Sequence, residues 1–142
     1  MVSRAQSLLI LHGVGVLLLG LAGGCVFLYV ILGVDIPGDY RAWKQIHLEG
    51  ILNSLLLFAV AGFVERLNLV ETRKCLLAWT LATAAWCNTV GSLIGPFFGV
   101  RGLSFDPPLA NGVVFFIFLI AGAAIAVALW LMVTGALQKK SD

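Results

Sequence analysis

The residues best suited to chemistry lie in one short run, His47-Leu48-Glu49-Gly50-Ile51-Leu52-Asn53-Ser54. At the helical rotation of about 100° per residue, His47, Gly50 and Ser54 share one face, and Glu49 and Asn53 share another. The first face carries an imidazole followed by two very small side chains, which leaves room beside the histidine for something flat and bulky. A macrocycle meets that description, and histidine is a common axial ligand of haem iron. The plain alternative is an interfacial histidine that snorkels to a membrane boundary.

A second cluster, Trp86-Cys87-Asn88-Thr89, follows later. Asn88 and Ser92 fall at i and i+4 on one helix face, and Thr80, Thr83 and Cys87 form a weakly polar stripe beside them. An asparagine at membrane depth can serve a substrate, or it can simply bond across to a neighbouring helix. His12, just before Gly13, reads either as a supporting partner of a metal ligand or as an interfacial residue.

The elements that must position these groups follow from composition. The chain has 142 residues, of which 61% are hydrophobic and 11% charged, with mean hydropathy +1.03. A soluble domain is roughly 25% charged, so a soluble enzyme, a disordered regulator and a nucleic-acid binder are excluded. The formal charge of +2 gives no reason to expect a polyanionic partner. The natural solvent is the lipid bilayer, whose core takes about 20 apolar residues per helical crossing. The expected fold is all-α: an integral membrane bundle of four transmembrane helices in a single domain, with spans near 8–32, 45–65, 75–97 and 110–137. The charge-free part of the second span, Gly50 to Val64, is too short to cross alone, so that helix must take in His47 and Glu49. Arg4 precedes a long uncharged stretch that exceeds a signal h-region of about 7–15 residues and is read as a retained first span.

Basic residues in short loops set orientation. Arg4, Arg66, Arg73, Lys74, Lys139 and Lys140 lie on one side, against Arg41, Lys44 and Arg101 on the other. The expectation is a multi-pass protein of a bacterial-type inner membrane with both termini cytoplasmic. Gly13, Gly20 and Gly24 recur at near-helical spacing, a signal for close helix packing. Cys25, Cys75 and Cys87 include no CxxC pair and read as small, apolar-tolerant residues.

Several of these features together resemble the small four-span isomerases that include styrene oxide isomerase and hydroxylaminobenzene mutase. They are His12-Gly13 in span one, His47 followed six residues later by Asn53 in span two, and Trp86-Cys87-Asn88 in span three. Arg101-Gly102-Leu103-Ser104-Phe105 resembles the loop after span three of the styrene oxide branch, whereas His47-Leu48-Glu49-Gly50 looks more like the mutase branch. The resemblance implies haem b with His47 as the metal ligand, and a homotrimer with haem at subunit interfaces. It also implies a small aromatic substrate in an aromatic-degradation setting, with Asn53 helping to hold it. The candidate site residues are therefore Asn53, Asn88 and Ser92 for catalysis, and His47, Gly50, Ser54 and Trp86 for the cofactor. Ser92 and Ala84 stand where the styrene oxide enzyme carries a tyrosine and an aspartate, which counts against epoxide chemistry.

The implied reaction is a rearrangement without net redox change, with ferric haem as Lewis acid. It turns a hydroxylaminoarene into an aminophenol, or an aryl epoxide into an aldehyde. Two other classes remain open on the residues alone. One is a haem electron-transfer protein, which often needs a second axial ligand; neither Met1 nor Met132 is well placed for this, which leaves His12. The other is a cofactor-free structural tetraspan protein.

Overall fold

The computed structural model describes residues 2–138; Met1, Lys139 and Lys140 lie outside the described residues. Four helices account for most of the chain, and no strand occurs among the described residues. They are α1 (Arg4–Ile31), α2 (Tyr40–Phe63), α3 (Glu71–Phe98) and α4 (Leu109–Leu137), with a single 3₁₀ turn, Val64–Arg66, extending α2.

Local chemistry sets the ends. Ser3 caps α1 in a reciprocal box with Gln6. Asp39 caps α2 by accepting from the Ala42 backbone N–H at 2.7 Å, which starts that helix five residues ahead of the sequence expectation. Pro96, expected near the end of the third span, lies inside α3. The helix runs on to Phe98 and stops at Gly99, whose φ of +64° is the left-handed conformation glycine adopts freely.

α1 and α2 pack antiparallel: Gly13 faces Phe58, Gly20 faces Gly50, and Gly23 faces Ile46. At the centre of this contact two backbones touch. A Cβ on Gly20 would stand 2.7 Å from the Gly50 Cα. α3 packs on all three other helices, and α4 packs chiefly on α3. The shared core is apolar, built from Leu9, Val16, Leu57, Leu77, Leu81 and Leu131, all at most 1% exposed.

α1, α2 with its 3₁₀ extension, and α4 are each long and apolar enough to cross a membrane. α3 is equally long but carries Thr80, Thr83, Asn88, Thr89 and Ser92 along its length. Of these, Thr89 and Ser92 are buried and Asn88 bonds to Glu49 on α2, so that part of the polarity meets protein.

The glycine contact yields a stability prediction. Gly50→Val overpacks a backbone-to-backbone contact and should lower unfolding free energy in detergent by about 1–3 kcal/mol. Gly62, with open space where a Cβ would stand, should accept alanine with no loss. Equal effects of the two substitutions would contradict the packing described.

Candidate functional site

The α1–α2 contact determines what His47 can do. With Gly20 and Gly50 touching, the backbone of α1 lies within reach of the side chain one turn before Gly50. The His47 Nδ1 is 3.0 Å from the Gly20 carbonyl oxygen. A carbonyl only accepts, so Nδ1 carries a proton and donates. In the neutral imidazole this leaves Nε2 with a bare lone pair. Nε2 takes no hydrogen bond among the described residues, and it is not one of their buried unpartnered polar atoms, Thr89 Oγ1 and Ser92 Oγ. One turn along α1, Gly24 lies directly under the imidazole: a Cβ there would come within 2.7 Å of Cε1. The Gly20-x-x-x-Gly24 pair therefore does two jobs, Gly20 admitting the backbone of α2 and Gly24 admitting the ring.

The small residues beside His47 are occupied differently from the sequence expectation. Gly50 is filled against by Gly20, and Ser54 is fully buried, its hydroxyl donating to the Ile51 carbonyl at 2.7 Å. The room at Gly50 holds α1, because two glycines meeting face to face let the helices close to backbone contact. Gly50 thereby sets the spacing that carries the imidazole.

On the opposite side of α2, Glu49 is the centre of a polar cluster. Its Oε2 accepts from Asn88 Nδ2 on α3 at 2.6 Å and from Asn53 Nδ2 at 3.2 Å, and Asn53 Nδ2 also reaches the Glu49 backbone carbonyl at 2.8 Å. Within the chain its side-chain partners are two amides. Asn53 and Asn88, expected separately from the sequence, are brought together by a carboxylate that was not among the expected site residues. The signal was present in the i,i+4 spacing of Glu49 and Asn53, but the partner on α3 was not.

Trp86 donates from Nε1 to His12 Nδ1 at 3.1 Å, and its ring rests on Gly15. His12 also meets Trp79 at a centroid distance of 5.2 Å. These residues knit α1 to α3. The rings of His12 and His47 lie apart: His12 is roughly 12–18 Å along the axis of α1 from the Gly20–Gly24 seat and is turned to α3. Ser92 is 6% exposed with an unpartnered hydroxyl. It lies on the wall of a cavity of about 390 Å³ between the start of α2, the end of α3 and the third connection. No cluster of three or more His, Cys, Asp or Glu side chains suited to a bare metal ion occurs among the described residues.

A single imidazole with its outer nitrogen free, in a bundle of apolar helices, is the setting in which the comparisons take on meaning. The family model described as styrene oxide isomerase matches residues 5–137, nearly the whole chain. The chain belongs to the styrene oxide isomerase family. No curated protein matches it. Membership in the styrene oxide isomerase family supports an isomerase of that type, in agreement with the resemblance read from His12-Gly13, His47, Asn53 and Trp86-Cys87-Asn88.

The cluster on α2 and α3 can be tested by a double-mutant cycle. Glu49→Gln and Asn88→Ala, alone and together, should show a coupling of about 0.5–2 kcal/mol in unfolding free energy. Additive effects would mean that the two side chains do not interact.

Proposed function

We propose that this protein is a haem b-dependent membrane isomerase in which His47 Nε2 would hold the haem iron. The observation that carries the reading is the Nδ1–H bond to the Gly20 carbonyl, since metal-ligating histidines characteristically donate their other ring nitrogen to a backbone carbonyl or carboxylate. The donor set would hold a haem through a single protein nitrogen. One imidazole nitrogen is available, and the second histidine of the chain is committed to Trp86. That arrangement speaks against a bis-histidine electron carrier built within one chain. When bound, ferric haem supplies a Lewis acid that polarises a substrate oxygen.

The protein's own groups do the rest. The Gly20 carbonyl holds the imidazole in one tautomer and one orientation. Glu49 takes an amide N–H from both Asn53 and Asn88, which orients the amides and leaves their oxygens to accept from a substrate N–H or O–H. His47 and the Glu49 cluster lie on opposite faces of α2, so both can serve one substrate only across an interface between copies. This supports a homo-oligomer, a trimer by resemblance, with the cofactor between subunits. Gly50, Ser54 and Trp86 act through the packing of α1 on α2 and α3.

The substrate favoured is a small hydroxylaminoarene, rearranged to an aminophenol. In that isomerisation the hydroxyl moves from nitrogen to the ring, a ring proton is released and the nitrogen regains one. Ser92 and Ala84 replace the tyrosine and aspartate of the epoxide enzyme, which removes an acidic hydroxyl and a carboxylate from the epoxide-type pocket. The second reading, epoxide to aldehyde, is favoured by the Arg101–Phe105 segment. α3 is proposed as the fourth crossing helix, since it is as long as its neighbours and packed among all of them. The proposed placement is the inner membrane with both termini cytoplasmic.

Detergent-purified protein should show a Soret band that His47→Ala abolishes. Gly24→Val, which drives a side chain into the imidazole, should weaken haem retention while the helical circular dichroism persists. Phenylhydroxylamine should be converted faster than styrene oxide. A colourless wild-type protein would overturn the cofactor, and faster turnover of styrene oxide would overturn the substrate order.

A further inference from the structure

The cavity of about 390 Å³ lies apart from His47 and has its own chemistry. Arg41, Gln45 and Asp39 line it from the first turns of α2, Ser92 from α3, and Arg101 from the third connection, while Phe118, Pro96 and Val100 supply apolar wall. Its walls are fixed. Gly91 lets the Phe118 ring approach α3, where a Cβ would stand 2.6 Å from Cε1. The backbone after Arg101 is tied down by Asn111, which accepts from the Gly102 N–H at 2.8 Å and donates to the Ser104 carbonyl at 2.9 Å. The cavity is thus preformed.

Its polar groups are unspent. The Lys74–Glu65 ion pair is the one formed among the described residues, so neither Arg41 nor Arg101 is paired with a carboxylate. Asp39 contributes the one negative charge on the lining, and its Oδ1 is engaged in capping α2. Two guanidinium groups against one engaged carboxylate leave the mouth of the cavity positive. The N-terminal end of α2 adds a partial positive charge of its own. Ser92 differs from the other buried serine. Ser54 returns its hydroxyl to a helix carbonyl, as serines in helices commonly do, whereas Ser92 is 94% buried and has no partner.

A cavity of about 150 Å³ already holds a benzene ring, so this one admits a substituted ring. We propose that the cavity between α2, α3 and the third connection binds a small aromatic carboxylate. The carboxylate is held by Arg41 and Arg101, the ring lies against Phe118 and Pro96, and a ring substituent meets the Ser92 hydroxyl. Paired guanidinium groups suit a planar carboxylate, which they can grip through parallel N–H bonds. The site does not depend on the haem reading: of the residues proposed for the reaction, it includes Ser92 alone.

Calorimetric titration of the purified full chain in nanodiscs, with benzoate and with its neutral isostere benzamide, tests the assignment. Benzoate should bind about tenfold or more tightly than benzamide, the discrimination expected of a hydrogen-bonded charge. The Arg41→Gln, Arg101→Gln double variant should erase that advantage and leave benzamide binding unchanged. Ser92→Ala should weaken 4-hydroxybenzoate and spare benzoate. Equal binding of benzoate and benzamide, or a benzoate preference that survives loss of both arginines, would overturn the proposal. An unchanged 4-hydroxybenzoate affinity in Ser92→Ala would overturn the inward orientation of the ring. Binding is read as heat, so a colourless preparation that still prefers benzoate supports this site while refuting the haem reading.

Discussion

A helix carbonyl normally spends itself on the amide four residues ahead, and a neighbouring helix seldom comes near enough to use its second lone pair. At Gly20 it does. The absence of side chains at Gly20 and Gly50 lets α1 and α2 touch backbone to backbone, and that proximity brings the Gly20 oxygen within 3.0 Å of His47 Nδ1. The ring's proton is thereby fixed on the inner nitrogen and the outer one is left basic. Gly24 completes the seat by giving the imidazole space. Loss of any one of these glycines would move the imidazole and with it the only ligand the proposed cofactor has.

α2 consequently has two working faces. One presents His47 over α1; the other presents Glu49 and Asn53 to Asn88 on α3. A carboxylate within a membrane-spanning segment is costly unless its oxygens are bonded, and the two amides meet that need. The same pairing explains the character of α3. Its polar side chains make it less apolar than the other helices, yet it lies at the centre of the packing, in contact with all three. Polarity that lipid would reject is accommodated where helices face one another.

Much of this was readable in the sequence, and the reason it was is physical. Long uncharged runs fix helices and their approximate limits, because lipid leaves the backbone no other way to satisfy its hydrogen bonds. The His47–Asn53 and Trp86–Asn88 spacings pointed to the family. Partners across helices were not readable, because helical periodicity says which residues share a face and not which face meets which. Glu49 to Asn88, Trp86 to His12, and Gly20 to His47 all belong to that class. Gly50 illustrates the ambiguity in the other direction. Small residues beside a histidine fit a bound ring or a close helix equally well, and here the helix occupies the space. Pro96, near the C-terminal turn of α3, is carried through to Gly99, the glycine that ends the helix.

The central claim is the protonation pattern of one imidazole. ¹⁵N NMR of metal-free protein with labelled histidine, assigned through His47→Gln, reads the two ring nitrogens separately. The account predicts a neutral ring with the proton on Nδ1 and a bare Nε2. A proton residing on Nε2, with Nδ1 unprotonated, would contradict it, because the outer nitrogen would then have no lone pair to offer a metal.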